Sequence, residues 1–554
     1  MPRLLHGDTV SLEAFHAAAA EVANLSAEVP LAFAASVSAE VQDFDFLFPK
    51  LQENAKNLLP EARATRDALV ALGRTMRDTD EAPSGDSRIP AAYTYFGQFV
   101  DHDVTLETTS ATADELVAED LVPLPLDEIR GSIHNLRTAT LDLDSVYGPP
   151  AARDGEKLAL GAVTALGGSA KPLLRPPGKG DANDVPREPR SSDPKTDRAA
   201  LIGDPRNDEN LVIAQLQLAF LRAHNALVDR GYSFDDARRT LRQHYQHVVV
   251  HDFLPRVCDP KVVRRVLREG NKLYHPFVEP FFLPLEFAVA AYRFGHSLIR
   301  STYDFNLNFN ISGEEGTVPA SLGLLFTFTA LSGQLGFPGQ ESDTLPENWI
   351  IEWENFVETP GRTPNRARRI DPKLVEPLFE LPDIQGRPEA GDKARLAVRN
   401  LLRGYLLRIP TGQAVARAVR KRWGTPVLSK RQLLRGAASD EQREVLSDSS
   451  LLERTPLWYY LLAEASVLAK GRHLGPVGSF VVAEVLVGLA RRSESSILRL
   501  ERWKPTLPSR RRRFELADLL RLAGVLEADG REYPSNGKKA GKGGTGKSAR
   551  KGKG

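Results

Sequence analysis

The stretch Ala92–Glu107, AYTYFGQFVDHDVTLE, sets Gln98, Asp101, His102 and Asp103 into an otherwise apolar run. On a helix, residues three and four apart share a face, so Gln98, Asp101 and His102 project from one side while Asp103 points away. A titratable imidazole is thereby aimed at something. Alone, this reads first as a satisfied core histidine or a short acidic turn, because histidine is intermediate in burial. The rest of the chain has to decide.

With 554 residues, 42% hydrophobic and 26% charged, the chain has ordinary globular composition and length enough for a large core. Lys plus Arg (73) balances Asp plus Glu (72), so no global field selects nucleic acid or an anionic membrane, and a cofactor with a small substrate is expected instead. A single cysteine, Cys258, excludes an internal disulfide framework and any zinc or iron–sulfur site built from cysteines. The N-terminal MPRLLHGDTVSLEAFHAAAA has no uninterrupted apolar segment of the secretory kind. The run Val477–Ala490 is shorter than the ~20 residues of a membrane span and reads as a buried helix. A soluble protein is expected, cytoplasmic or exported by a route without an N-terminal signal peptide. Nothing bears on its oligomeric state.

Residues 1–85 read as an N-terminal helical wrap, clearest in LEAFHAAAAEVANL and PEARATRDALVALGRTMRD. Within Arg137–Pro150, RTATLDLDSVYGPP, the side chains of Thr138, Thr140, Asp142 and Asp144 alternate, which suits a hard cation such as calcium as well as it suits a solvated turn. Asp103 is placed to add a carboxylate. Lys171–Lys195 is a Pro- and Gly-rich surface loop. Gly203-Asp204-Pro205 is a helix-start signal, predicting a helix that carries Arg206 and Glu209 and then the apolar NLVIAQLQLAFLRAHNALVDR. His244, His247 and His251 have helical spacing but no evident fourth zinc ligand, and they read, like His224, as packing residues.

Glu286–Arg300, EFAVAAYRFGHSLIR, reads as a strong helix with Arg293 and His296 on one face. A histidine there needs a partner for each ring nitrogen, and an axial iron ligand with an acceptor behind it is one solution. Asn400 and Arg403 form another polar pair on an apolar helix, and the Asn400 carbonyl could accept the His296 proton. Convincing strands are lacking, so the class is mainly α. GKGGTGKS near the end matches a phosphate-loop pattern but lacks the strand and helix that pattern requires, and 531–554 reads as a disordered basic tail.

Together, GQFVDHD, TATLDLDSVYG, RNDEN, RFGH and RNLLRG, in this order, resemble the animal haem peroxidase superfamily over roughly residues 85–480, most closely its bacterial single-domain branch. The resemblance implies a large single-domain helical haem peroxidase fold with little β structure, its catalytic domain at 86–530. It also implies haem b and calcium as cofactors. By position, His102 resembles the distal histidine, Gln98 its neighbour and Arg206 the distal arginine. His296 resembles the proximal iron ligand, with Asn400 behind it and Arg293 and Arg403 near the haem. Asp101 and Glu209 match the carboxylates that bond to haem as esters. Asp103, Thr138, Thr140 (through its carbonyl), Asp142 and Asp144 match the calcium ligands.

A neutral imidazole and a fixed cation suit cleavage of hydrogen peroxide, since one moves a proton and the other offsets the developing negative charge. The implied function is reduction of hydrogen peroxide with oxidation of bromide, iodide, thiocyanate or phenols. Chloride is not expected, because Asn210 stands where myeloperoxidase has a haem-linked methionine. Two alternatives stand beside this. A fatty-acid dioxygenase of the same superfamily is disfavoured because Arg293 occupies the place of the radical tyrosine, three residues before His296. A haem- and calcium-binding adhesion protein has no need of Gln98, His102 and Arg206 together.

Overall fold

The interior is built from helices whose apolar residues recur at helical spacing. The computed structural model describes residues 42–527 except 109–110, 150, 194–195, 330–334, 337–340, 382–389 and 511–512. LEAFHAAAAEVANL and the basic tail lie outside the described residues. Helix α1, Arg63–Thr75, falls within the second predicted N-terminal helix and buries Leu69, Val70, Leu72 and Gly73. Helices α2 (Ala92–Val104) and α3 (Leu211–Val228) pack together through Phe99 and Phe220, whose rings stack 4.4 Å apart. Helix α4, Phe234–Val248, lies against α3, and α5 (Leu396–Leu406) lies against α1. There a Cβ on Gly73 would come within 2.8 Å of Val398, so only glycine permits the approach. Helices α6 (Leu457–Glu464) and α7 (Pro476–Arg492) complete the centre, with every residue of α7 from Val477 to Ala490 buried.

Helix makes up 48% of the structure and strand 8%, so the mainly α expectation holds. The largest sheet has three short strands, Gln42–Asp45 running antiparallel to His134–Asn135 and parallel to Phe282–Pro284. One continuous buried core extends from Phe44 to Leu526. Among the described residues α3 is the one helix long and apolar enough to cross a membrane, and 83% of it is buried inside the fold.

Two expected helices differ in form. Asp204 caps a 3-10 turn, Pro205–Asp208, by accepting from the Arg206 amide, and α3 begins only after a break, capped by Asn210. Both caps are short polar side chains suited to the purpose, and the sequence holds two start signals six residues apart where one was read. Glu286–Arg300 is not a regular α-helix but a π segment, Glu286–Ala291, followed by a 3-10 segment, Tyr292–Leu298. The Glu286 carboxylate accepts from the amides of Leu47 and Phe48 at 2.7 and 3.1 Å, a tie to a distant segment that local periodicity does not encode. In a 3-10 helix side chains three apart eclipse one another, so Arg293 and His296 stack along one edge.

His224 and His244 are held as packing residues, as their helical setting predicts. His244 donates to the Thr240 carbonyl at 2.8 Å and accepts from the amides of Thr506 and Leu507. His224 bridges Tyr147 and the Glu156 carbonyl. Among the described residues no group of three His, Cys, Asp or Glu is gathered for a metal.

Candidate active site

Helix α2, the turn before α3 and the 3-10 segment line a cavity that opens to solvent, about 1070 Å³ with its mouth included. Its polar wall is Gln98, Asp101, Glu209 and Asn210; Arg293 and His296 also line it, and Phe253, Leu322, Phe326, Leu378 and Leu396 make much of the remainder. Gln98 donates to Glu209, and Asn210 donates to the Gln98 carbonyl at 3.3 Å. Loss of water pushes the Asp101 carboxyl up to about 6, against the pull of Arg206 and Arg293.

His296 is buried, with its Nδ1 2.8 Å from Nδ2 of Asn400. The pairing read from sequence is present, but the Asn400 carbonyl is not its instrument. That oxygen accepts from Nη1 of Arg293 at 2.7 Å. Burial first, and Arg293 second, lower the His296 pKa to about 3, so the ring is neutral. Arg403 turns to Glu107 instead of the cavity, where Arg399 of the same helix stands. Sequence reasoning passed over Arg399 because it shares α5 with two more obvious polar residues.

His102 and Arg206 lie behind the polar wall and are not among the side chains lining the cavity. The His102 Nδ1 is 2.7 Å from Oδ1 of Asn207, Asn207 Nδ2 donates to Gln217 at 2.8 Å, and Gln217 Nε2 donates to the Ser145 carbonyl at 3.1 Å. A carbonyl at the end of this chain can only accept, so each amide is oriented and Asn207 presents oxygen to the ring. His102 therefore carries its proton on Nδ1 and leaves Nε2 as the basic atom. Desolvation, then Arg206, hold its pKa down to about 3. Neither Asn207 nor Gln217 was singled out in the sequence; the only hint was a polar residue inside an apolar helix.

Arg206 forms a fork with Asp204, Nε to Oδ1 at 3.0 Å and Nη2 to Oδ2 at 2.7 Å, and also donates to the carbonyls of His102 and Thr105. Arg137 grips the same carboxylate and the Gly203 carbonyl. Burial opposes the Asp204 charge, but the two guanidiniums overcome it and hold this carboxyl well below the usual range.

Residues 129–324 match the family model described as animal haem peroxidase. That match and the relatives below support membership of the animal haem peroxidase superfamily. It is 27% identical over 314 residues to a peroxidase-like protein of Margaritifera margaritifera, covering 47% of this chain and 38% of that one. It is 29% identical over 211 residues to the Homo sapiens protein named probable oxidoreductase PXDNL, covering 34% of this chain and 13% of that one. The chain thus spans well under two thirds of these relatives. A fatty acid alpha-dioxygenase of Oryza sativa shares the fold, with a TM-score of 0.50, 16% identity, and coverage of 78% of this chain and 74% of that one.

Family membership implies haem, and the cavity suits it. An apolar slot with a neutral imidazole in its wall, Arg293 and Arg399 for acidic groups, and the carboxylates of Asp101 and Glu209 is the donor set a porphyrin needs. Ligation at Nε2 of His296 requires the proton on Nδ1. Asn400 can accept that proton by turning its amide over, which releases Arg293.

The residues that the resemblance assigns to calcium lie on the other side of α2, although no three of their carboxylates are gathered closely enough for a metal among the described residues. Asp103 is wholly buried and accepts from the amides of Leu143 and Ser145 at 3.2 and 3.4 Å, so it does point away from the cavity and into the loop. Thr138 donates to Asp144 at 2.8 Å and Thr140 to Asp142 at 2.6 Å, while Oδ1 of Asp142 is buried without a hydrogen bond. The loop is bent by left-handed backbone at Ala139 and Leu143, with φ of 49° and 59°. Burial, then the charges of Asp144 and Asp142, push the Asp103 carboxyl well above its ordinary range. A divalent cation held there would relieve that repulsion and satisfy the orphan oxygen. Calcium is expected to raise the melting temperature, with about 2.7 kcal/mol at a hundredfold excess over Kd, and Asp103→Asn to abolish the response. Scanning calorimetry with calcium and with chelator checks this, and identical curves would count against the site.

Proposed function

We propose that the chain is a haem-dependent peroxidase that reduces hydrogen peroxide and oxidises bromide, iodide, thiocyanate or phenolic donors. The observation that carries this is the pair of neutral imidazoles, His296 lining the cavity and His102 behind the polar wall with its tautomer set by Asn207. Haem, when bound, supplies the redox chemistry. With haem and peroxide bound, Nε2 of His102 would move a proton from one peroxide oxygen to the other, which requires the neighbouring Gln98 and Asp101 to give way, since the ring is buried behind them. Arg206 and Arg137 leave the Asp204 cluster with a net positive charge behind the polar wall, which favours charge developing on the departing oxygen. Gln98, tied to Glu209 and Asn210, presents a fixed amide to the small anion.

A pyridine haemochrome spectrum followed by stopped-flow titration with peroxide tests the reading. Haem at one per chain with rapid oxidation by peroxide supports it; no haem, or no reaction, overturns it. Asp101 and Glu209 both open on the cavity, as ester-forming carboxylates must. Acidified butanone is therefore expected to leave haem on the protein, and free extraction would remove the ester assignment.

One observation favours a second reading, fatty-acid dioxygenation. The cavity is largely apolar and Tyr292 lines it, although its hydroxyl donates to the Gly97 carbonyl at 3.2 Å. Oxygen uptake with palmitate in the absence of added peroxide would favour that reading over the first.

A further inference from the structure

Three tyrosines line the cavity, Tyr93, Tyr95 and Tyr292, and they differ in what holds them. Tyr292 donates to a backbone carbonyl, which cannot take a proton. Tyr95 packs edge-on against Tyr303, ring centres 5.9 Å apart. Tyr93 donates to a carboxylate, Oδ2 of Asp252, at 2.6 Å. Asp252 is held in place by Arg256 at 2.8 Å and by the Leu516 amide at 2.9 Å, and the Arg256 guanidinium lies 4.3 Å from the Tyr93 ring centre. Asp252 reaches this position from a π segment, Val249–Phe253, an insertion in the helix that turns it toward α2.

Tyr93 has a second property. It also lines a separate, shallow polar cleft bordered by Arg256, Arg510 and Arg521 and by Glu358, Glu515 and Asp518. One phenol ring, 3% exposed, thus forms part of the wall between the cavity and an outer cleft. Neither the proton transfer at His102 nor the implied haem ligation uses it.

We propose that Tyr93 is a one-electron relay, and that the outer cleft is a second donor site for bulky aromatic compounds that cannot enter the cavity. The proposal rests on the peroxidase reading, since hydrogen peroxide must first oxidise the haem. In the first step Tyr93 gives one electron to the oxidised haem and its phenolic proton to Asp252 Oδ2, leaving a neutral phenoxyl radical. In the second, the aromatic donor in the outer cleft gives one electron to the phenoxyl, Asp252 returns the proton to its oxygen, and the donor leaves as a one-electron-oxidised radical. Two such donors restore the resting enzyme. A carboxylate beside the phenol is what makes the first step possible, because an oxidised phenol is a far stronger acid than a carboxylic acid. The three arginines at the cleft are balanced by three carboxylates, Glu358, Glu515 and Asp518, so the cleft carries no net charge that selects the donor.

The test compares wild-type holoenzyme with Tyr93→Phe, using iodide as the small donor and ABTS, a bulky sulfonated aromatic, as the large one. The wild type, freeze-quenched after peroxide, is expected to show a tyrosyl radical by electron paramagnetic resonance, and spin trapping with peptide mapping to place the adduct on Tyr93. Both signals vanish in Tyr93→Phe, and the ratio of kcat/KM for ABTS to that for iodide falls by about tenfold or more. Arg510→Glu, at the outer cleft, is expected to raise the KM for ABTS. An unchanged ratio, or a radical that persists in Tyr93→Phe, overturns the relay while leaving the peroxidase reading intact. A wild type that oxidises neither donor overturns both.

Discussion

His102→Ala lowers the rate constant for reaction with hydrogen peroxide by about 10²–10⁴-fold while haem content is unchanged, the loss expected when a positioned acid–base group is removed. Stopped-flow absorbance in the haem band measures the first quantity and a pyridine haemochrome the second. Haem content survives because the residue placed for iron is His296, which lines the cavity. The pH profile adds an independent check. Burial and Arg206 hold His102 down to about 3, so protonation, which would remove the base, requires acid well below neutrality. The rate should stay flat from about pH 8 to about pH 5, whereas an ordinary imidazole would already be half lost near 6.5. A wild-type rate in the alanine variant would remove His102 from the mechanism. Gln217→Leu should fall between the two, because it frees Asn207 to turn its amide and present the wrong atom to the ring.

Asp204→Ala destabilises the protein by about 3–5 kcal/mol, since it leaves the buried guanidiniums of Arg137 and Arg206 facing each other without a counter-charge. Denaturant unfolding measures the loss. The pH dependence has a definite sign. The Asp204 pKa is depressed on folding, so its contribution is complete above the unfolded carboxylate value of about 3.9 and disappears as pH falls through the lower folded value. Asp204→Asn is therefore expected to be less stable than wild type at neutral pH and to converge on it in acid. A variant as stable as wild type at pH 7 would show that the carboxylate holds no such role. Peroxide reactivity should fall as well, because Arg206 loses the partner that fixes its guanidinium.

Much of the site was legible because it is carried by short-range spacing. Gln98 and Asp101 share a face of α2, and His296 and Arg293 share an edge whether their segment is α or 3-10, since both periods bring residues three apart together. Asp103 points away from Gln98 for the same reason and meets the loop at Leu143 and Ser145. The apolar character of Val477–Ala490 was enough to place α7 in the core. Where the reading missed, a contact between distant segments was responsible. The Asn400 carbonyl goes to Arg293 and not to His296, and Arg403 turns to Glu107, leaving Arg399 at the cavity.

The sequence by itself determined the helical class, the residues available for chemistry and the faces they occupy, because periodicity and residue type are local properties of the chain. Tertiary structure alone decided which atom each polar group uses. Hydrogen-bond partners such as Asn207 for His102 and Asp252 for Tyr93 come from segments more than a hundred residues away, and the desolvation that neutralises both imidazoles exists only once those segments have closed over them.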